Sequence, residues 1–327
     1  MAGSKPTAVT DLAREIIKEF TVDGEVTQSK RKLAELLLYR HPEVYKDSDS
    51  ARSAIKYVTG VHGTHAAKIE PFKLKIPLPE ANDYSKVIVK EKRIGLLPDL
   101  HFPYYDKQAT EAAINGLINW KPDCIVLTGD SLDCYHGSDF VKDPRMRDLA
   151  YEFDMVRSFI NQLIETFPNT RIIYKMGNHE ERYEKQIIQR VPQFVNLKWM
   201  TFEVGLHWEQ NYKIEVVKNK RIIKAGHLNI LHGHEFSKGF IAPVNVARGF
   251  YLKAKTNVIA GHHHRVSEHL ETDINGKVIG AWSLGCLCEL HPNYMPINCW
   301  QHGFATVEID GDDFLVKNHK IVKGKIL

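Results

Sequence analysis

At 327 residues the chain has room for one large domain and a small companion, and 43% apolar with 26% charged residues is the make-up of an ordinary globular protein. A formal net charge of +4 is too small to demand an anionic partner, and no apolar run is long enough to span a bilayer. The opening segment, MAGSKPTAVTDLAREII, lacks the apolar centre and cleavage site of a secretory signal. The expectation is therefore an intracellular, cytoplasmic protein with no membrane partner. Its five cysteines (Cys124, Cys134, Cys286, Cys288 and Cys299) are odd in number and form no Cys-x-x-Cys pair, which fits reduced, structural thiols.

The first sixty residues read as three short helices. Thr10 is positioned to cap the first, which has Leu12, Ile16, Ile17 and Phe20 on one face. Thr27 or Ser29 caps the second, with Leu33, Leu36, Leu37 and Leu38 as its stripe and a stop before Pro42. Ser48 or Ser50 opens the third, which carries Ala51, Ile55 and Val58 and ends near Gly60 and Gly63. Residues 1–63 thus resemble a small helix-turn-helix-like module. Lys30, Arg31 and Lys32 at the entry to its second helix are candidate contacts to nucleic-acid phosphates. Positions 26–63 hold seven Lys/Arg against four Asp/Glu, and the C-terminal stretch adds Lys317, Lys320, Lys323 and Lys325; ordinary solvated faces give the same pattern.

Residues 64–85, with Pro71, Pro77 and Pro79 and no sustained periodicity, read as an extended linker. From Lys86 onward, strands and helices alternate. Helical spacing covers 108–120, 148–167 and 181–190, the last ended by Pro192. The second half is richer in hairpins. Asn275-Gly276 between 266–274 and 277–284 signals a type I′ turn, and Asp310-Gly311-Asp312 separates 305–309 from 314–316. The fold expected over 86–327 is α/β, two stacked mixed β-sheets flanked by helices.

Five short apolar runs each end in residue types that can bind metals. They lead into Asp99-Leu100-His101, Gly129-Asp130, Gly177-Asn178-His179-Glu180, His232-Gly233-His234 and Gly261-His262-His263-His264. Buried strands read this way, and strand ends at one sheet edge are where rigid scaffolds place working residues. Asp-x-His and His-x-His put two side chains on one side of an extended strand end. Glycines 129, 177, 233 and 261 allow tight turns. Seven oxygen and nitrogen ligands can hold two divalent ions, which points to metal-assisted hydrolysis.

The ordered set DLH, GDSLD, GNHE, HGH and GHHH resembles the calcineurin-like metallophosphoesterase superfamily over roughly 86–327, and GDSLDCYHGSDF and GNHEERYEKQI resemble its phage-type and bacterial members. That resemblance implies one metal held by Asp99, His101, Asp130 and His264, and a second held by Asp130, Asn178, His232 and His262, with Asp130 bridging. The ions would be manganese first, with iron, zinc or nickel also suited to the donor set. It also implies a hydroxide between the ions that attacks phosphorus in line, and a non-ligand histidine, His179, that assists the leaving group. His234 is the alternative ligand within HGH and otherwise faces substrate, while His263 points away. Arg182 is a candidate phosphate clamp or else a salt-bridge partner of a nearby Glu. Asp133 is placed to orient a ligand histidine, and Tyr135 and His136 to shape substrate access.

The expected function is a binuclear metal-dependent phosphodiesterase or nuclease acting on DNA or RNA. Two alternatives stay open: a phosphomonoesterase or small-nucleotide hydrolase, and a metal-binding scaffold with a vestigial site.

Overall fold

The computed structural model describes residues 8–22, 25–60, 76, 84–138, 148–207, 214–236 and 244–327. The chain forms two compact units, Met1–Glu80 and Ala81–Leu327.

The first unit packs helices α1 (Ala8–Glu19), α2 (Lys30–Arg40) and α3 (Ser48–Val58) around Ile16, Leu33, Leu37, Tyr45 and Ile55. A two-stranded hairpin, β1 (Thr21–Val22) and β2 (Glu25–Val26), connects α1 to α2. Ser29 caps α2 by accepting the Lys32 amide N–H at 3.3 Å. The cap of α3 is Asp47, paired with Ser50 in a capping box, and Thr10 lies inside α1 instead of capping it. The α2–α3 connection, 41–47, is longer than the three or four residues of a helix-turn-helix. Nearly all of the expected linker lies outside the described residues.

The second unit contains two mixed sheets. One has the order β15-β14-β13-β4-β5-β6-β7 and the other β11-β12-β10-β9-β8-β3. In the first, β4 (Arg93–Leu97), β5 (Cys124–Leu127), β6 (Arg171–Lys175) and β7 (Glu215–Val217) are parallel, and β13 (His302–Asp310), β14 (Asp313–Val322) and β15 (Lys325–Ile326) extend it antiparallel. In the second, β10 (Val258–Ala260) runs parallel to β9 (Leu228–Leu231) and β12 (Val278–Ser283). The strands β3 (Val87–Val89), β8 (Ile223–Ala225) and β11 (Ser267–Thr272) complete it.

Ile94, Leu96, Val126 and Ile173 meet Ile223, Ile230, Ile259 and Trp282 in a core between the sheets. Leu97, Ile125, Leu127 and Tyr174 face the other way, in a core shared with α4 (Lys107–Trp120), α5 (Leu149–Thr166) and α7 (Phe202–His207). Leu231, Val258 and Ala281 pack under α8 (Val246–Ala254). With both faces covered, these strands read as short, mostly apolar runs. Asp106 caps α4 and Asp148 caps α5 through their side chains. α6 (Asn178–Arg190) starts earlier than the periodicity suggested, so Asn178 and His179 lie in its first turn.

One turn differs from expectation. Thr272 pairs with Val278, and Asp273 Oδ1 accepts the amide N–H groups of Asn275 and Lys277. This holds Ile274-Asn275-Gly276 as a three-residue loop with positive φ at Gly276 and not at Asn275, so it is not the type I′ turn that Asn-Gly signals.

Candidate metal centre

β4, β5 and β6 are parallel neighbours, as are β9 and β10, so the ends of all three runs in one sheet and both in the other emerge on a shared edge. Beyond the strands the ladder continues through the loops. The His101 amide donates to Asp130 O at 2.9 Å, and the Phe102 amide to Ser131 O at 2.8 Å. The Leu287 amide donates to Asp99 O at 3.0 Å, and the Gln301 amide to His264 O at 2.8 Å.

Strand alternation does not place the candidate ligand pairs. Asp99, His101, Asp130, His262 and His264 all adopt left-handed backbone, with φ of 47°, 51°, 51°, 68° and 54°. Non-glycine residues held there cost about 1–3 kcal/mol each, and such strain collects at functional sites. Gly177 and Gly261 have no positive φ, and what they supply is room. A Cβ on Gly177 would lie 2.2 Å from Asp130 Oδ1, and one on Gly261 would lie 2.3 Å from Asp99 Oδ2.

The side chains converge on Asp130. Its Oδ2 lies 3.2 Å from His232 Nε2, 3.7 Å from His179 Nε2 and 3.9 Å from His101 Nε2. Its Oδ1 accepts the His179 amide N–H at 2.9 Å. His232 Nε2 also lies 3.2 Å from Asn178 Oδ1. Asp99 Oδ1 lies 3.2 Å from His264 Nε2, and its carboxylate accepts the His262 amide N–H. Three sets each bring ligand atoms within 4.8 Å of one another: Asp130, His232 and His262; His101, Asp130 and His179; and His101, His264 and Cys288.

The donors fit divalent ions. Buried His101 Nε2 has no hydrogen-bond partner, while its Nδ1 lies 2.9 Å from Asp133 Oδ1, which fixes the ring and leaves Nε2 to face the centre. His232 is held likewise, with Nδ1 3.0 Å from Thr128 O. Burial opposes ionisation of Asp130, yet His179 and His232 outweigh it and hold its carboxyl well below the usual range. Burial also opposes charging of His232, but Asp130 lifts it to about 10. Burial, with His232 alongside, lowers His262 to about 3, leaving a neutral imidazole.

Three glutamates, which sequence reasoning missed, hold the loops of the site by their backbones: Glu152 and Glu180 are buried and Glu235 is partly so. Glu180 receives five donors: the amides of Asp130, Ser131, Leu132 and Gly177, and the Tyr174 hydroxyl. Glu152 accepts the amides of Cys134 and Tyr135. Glu235 accepts those of His232 and Gly233 and pairs at 2.8 Å with the wholly buried Lys175. Burial works against the Glu235 carboxylate, but Lys175, His234 and His232 bring it down to about 2.

The remaining candidates are less central. His234 Nε2 pairs with Glu181 Oε1 at 2.9 Å, away from Asp130. His263 packs against Phe250. The Arg182 guanidinium reaches His179 Nδ1 at 2.9 Å rather than a neighbouring glutamate. His179 Nδ1 also lies 2.6 Å from Asp133 O and 3.3 Å from Asp133 Oδ1. His136 is exposed on a one-turn 3-10 helix, Tyr135–Gly137. Cys288, read as structural, lies buried with Sγ 3.9 Å from His264 Nδ1. Lys30, Arg31 and Lys32 are exposed in the first turn of α2, and Arg31 pairs with Glu35. No described helix is long and apolar enough to cross a membrane.

The ordered motifs and the two stacked sheets that present them resemble the calcineurin-like metallophosphoesterase superfamily. No family model matches the sequence. The chain is 25% identical over 246 residues to the Gene 54 protein of Mycobacterium phage L5, covering 72% of this chain and 95% of that protein. Among solved structures it is similar to Vacuolar Protein Sorting 29 from Cryptosporidium parvum, at 14% identity and a TM-score of 0.39, covering 73% of this chain and 96% of that one. It is also similar to YfcE, a phosphoesterase from E. coli, at 14% identity and a TM-score of 0.32, covering 66% and 88%.

Proposed function

We propose that the chain is a phosphoester hydrolase dependent on two divalent metal ions. The observation that carries this reading is the Asp130 carboxylate, buried and faced by His101, His179 and His232 from three separate segments of the chain. Asp99, His101, Asp130 and His264 would hold one ion and Asp130, Asn178, His232 and His262 the other, with Asp130 shared. When bound, such a pair lowers the pKa of water and offsets charge on phosphoryl oxygens.

The chain's own residues supply the rest. His179 delivers a proton from Nε2 to the departing oxygen, while Nδ1 stays on the Asp133 carbonyl and the Asp133 carboxylate, 3.3 Å away, stabilises the charged ring. With Nδ1 protonated it no longer accepts from Arg182, and that guanidinium is left to bind a phosphoryl oxygen. Within this class the substrate is a phosphodiester of nucleic acid, a reading supported by the exposed Lys30, Arg31 and Lys32.

The test is Mn²⁺-dependent hydrolysis followed in parallel on p-nitrophenyl phosphate, bis-p-nitrophenyl phosphate, and single- and double-stranded DNA. Diester and DNA cleavage above monoester cleavage, abolished by Asp130→Ala, is the expected result. Preference for the monoester would replace the nuclease reading with a small-ester one. Hydrolysis of none of the four would remove the enzyme reading.

A further inference from the structure

The loop from Glu289 to Gln301 is braced by its own polar groups. Asn298 Nδ2 donates to Leu290 O at 2.5 Å and Met295 O at 2.8 Å, and its Oδ1 accepts the Trp300 amide at 2.8 Å. His291 Nδ1 lies 3.0 Å from Pro296 O. Both ends are tied to the metal-site loops, since the Glu289 amide donates to Tyr104 O and the Gln301 amide to His264 O, each at 2.8 Å. This brace presents large apolar side chains to solvent: Tyr294 is 54% exposed, Met295 41% and Ile297 94%. Packing alone gives no reason for such exposure.

Two of its aromatic rings lead away from the metal site. Trp300 stands edge-on to His264 with centroids 4.2 Å apart, and Tyr294 stands 6.3 Å from Trp300. Tyr104 and Tyr135, 6.5 Å apart, form a second pair, and burial with the Asp133 carboxylate nearby pushes Tyr104 up to about 12.

We propose that Tyr294 and Trp300 form an aromatic wall that stacks against a nucleobase one sugar away from the phosphorus held at the metal centre. The inference rests on the phosphoesterase reading and names its substrate class as nucleotidyl. Two ring spacings separate Tyr294 from His264, which suits a base carried on a sugar better than a ring bonded directly to a phosphoryl oxygen. Stacking of this kind tolerates any base, because every base offers a π face.

Equilibrium binding to the full-length, metal-loaded protein separates this claim from the hydrolase reading, because it needs no turnover. Calorimetry would compare 2′-deoxyadenosine 5′-monophosphate, phenyl phosphate and methyl phosphate. The nucleotide should bind more tightly than both, and Tyr294→Ala should weaken it by about 5- to 100-fold, with Tyr294→Phe restoring it and metal content held constant. Equal affinity for nucleotide and methyl phosphate would overturn the wall. So would equal losses for all three ligands in Tyr294→Ala, which would mark the residue as structural. Phenyl phosphate binding as tightly as the nucleotide would overturn the nucleobase assignment in favour of an aryl phosphate. If the nucleotide preference and its Tyr294 dependence hold while no ester is hydrolysed, the wall stands and the hydrolase reading falls.

Discussion

Glu180 and Asp130 hold each other's segments through the backbone. Glu180 Oε2 accepts the Asp130 amide N–H at 3.0 Å, and Asp130 Oδ1 accepts the amide of His179, the residue before Glu180, at 2.9 Å. The end of β5 and the start of α6 are thereby locked in one arrangement. Glu180→Gln turns an amide NH₂ toward backbone donors that now meet a carboxylate oxygen. The fold should lose about 1–3 kcal/mol, read as a lower urea midpoint. Metal affinity should fall by roughly 10- to 100-fold, the usual cost of disturbing a group that orients ligands. Metal binding as tight as in the unchanged protein would show that the Asp130 loop is positioned by something other than Glu180.

Gly177 leaves the space that the Asp130 carboxylate fills. Gly177→Ala sets a Cβ 2.2 Å from Asp130 Oδ1, so the carboxylate or the loop must move. A displacement near 1 Å costs on the order of 10²-fold in turnover. Hydrolysis should drop by that amount while the circular dichroism spectrum stays that of the native fold. Full activity in Gly177→Ala would mean that the Asp130 position is not critical.

The strand ends were legible because strands buried on both faces stand out as short, mostly apolar runs, and each run here leads into residue types that bind metals. The sheet pairings that bring Asp99, Asp130 and His232 together follow from alternating strands and helices. The left-handed backbone at Asp99, His101, Asp130, His262 and His264 was not legible, since the same residue types also occupy ordinary strand ends. Glu152, Glu180 and Glu235 were hidden for a different reason. They bind backbone amides, which nearly every residue carries, so no spacing marks them. Asn275-Gly276 misled because Asp273 captures two of the loop's amides and sets its length.

Glu152 makes stability depend on pH. Burial, together with the Asp133 charge, raises its carboxyl to about 8 from 4.5. Between those values the folded chain keeps a proton that the unfolded chain has released, so this residue's contribution to stability falls as pH rises. The slope is at most about 1.4 kcal/mol per pH unit. Glu152→Gln carries no such proton. The difference in unfolding free energy between the unchanged protein and the variant, followed by urea titration from pH 4.5 to 8, should shift steadily in the variant's favour. A constant difference would mean that Glu152 is ionised throughout.

Lys30, Arg31 and Lys32 place three cations in the first turn of α2, where the helix dipole does not favour them. If they meet phosphates, replacing all three by Ala weakens DNA binding alike across sequences. The salt slope should flatten by up to about 3, near one for each lost contact. DNA affinity and salt slope equal to those of the unchanged protein would make the helical unit an assembly element and favour a small-ester substrate.

A two-metal site organised around Asp130 shows itself first in metal stoichiometry. Apo protein would be reconstituted with Mn²⁺ and, separately, Zn²⁺, freed of excess ion, and its metal content per chain measured for the unchanged protein, His179→Ala and Asp130→Ala. The unchanged protein should carry two ions. His179→Ala should also carry two, with turnover lowered by roughly 10²–10⁴, and Asp130→Ala fewer than two. One ion or none in the unchanged protein, or two retained in Asp130→Ala, would mean that Asp130 does not hold a pair of metals.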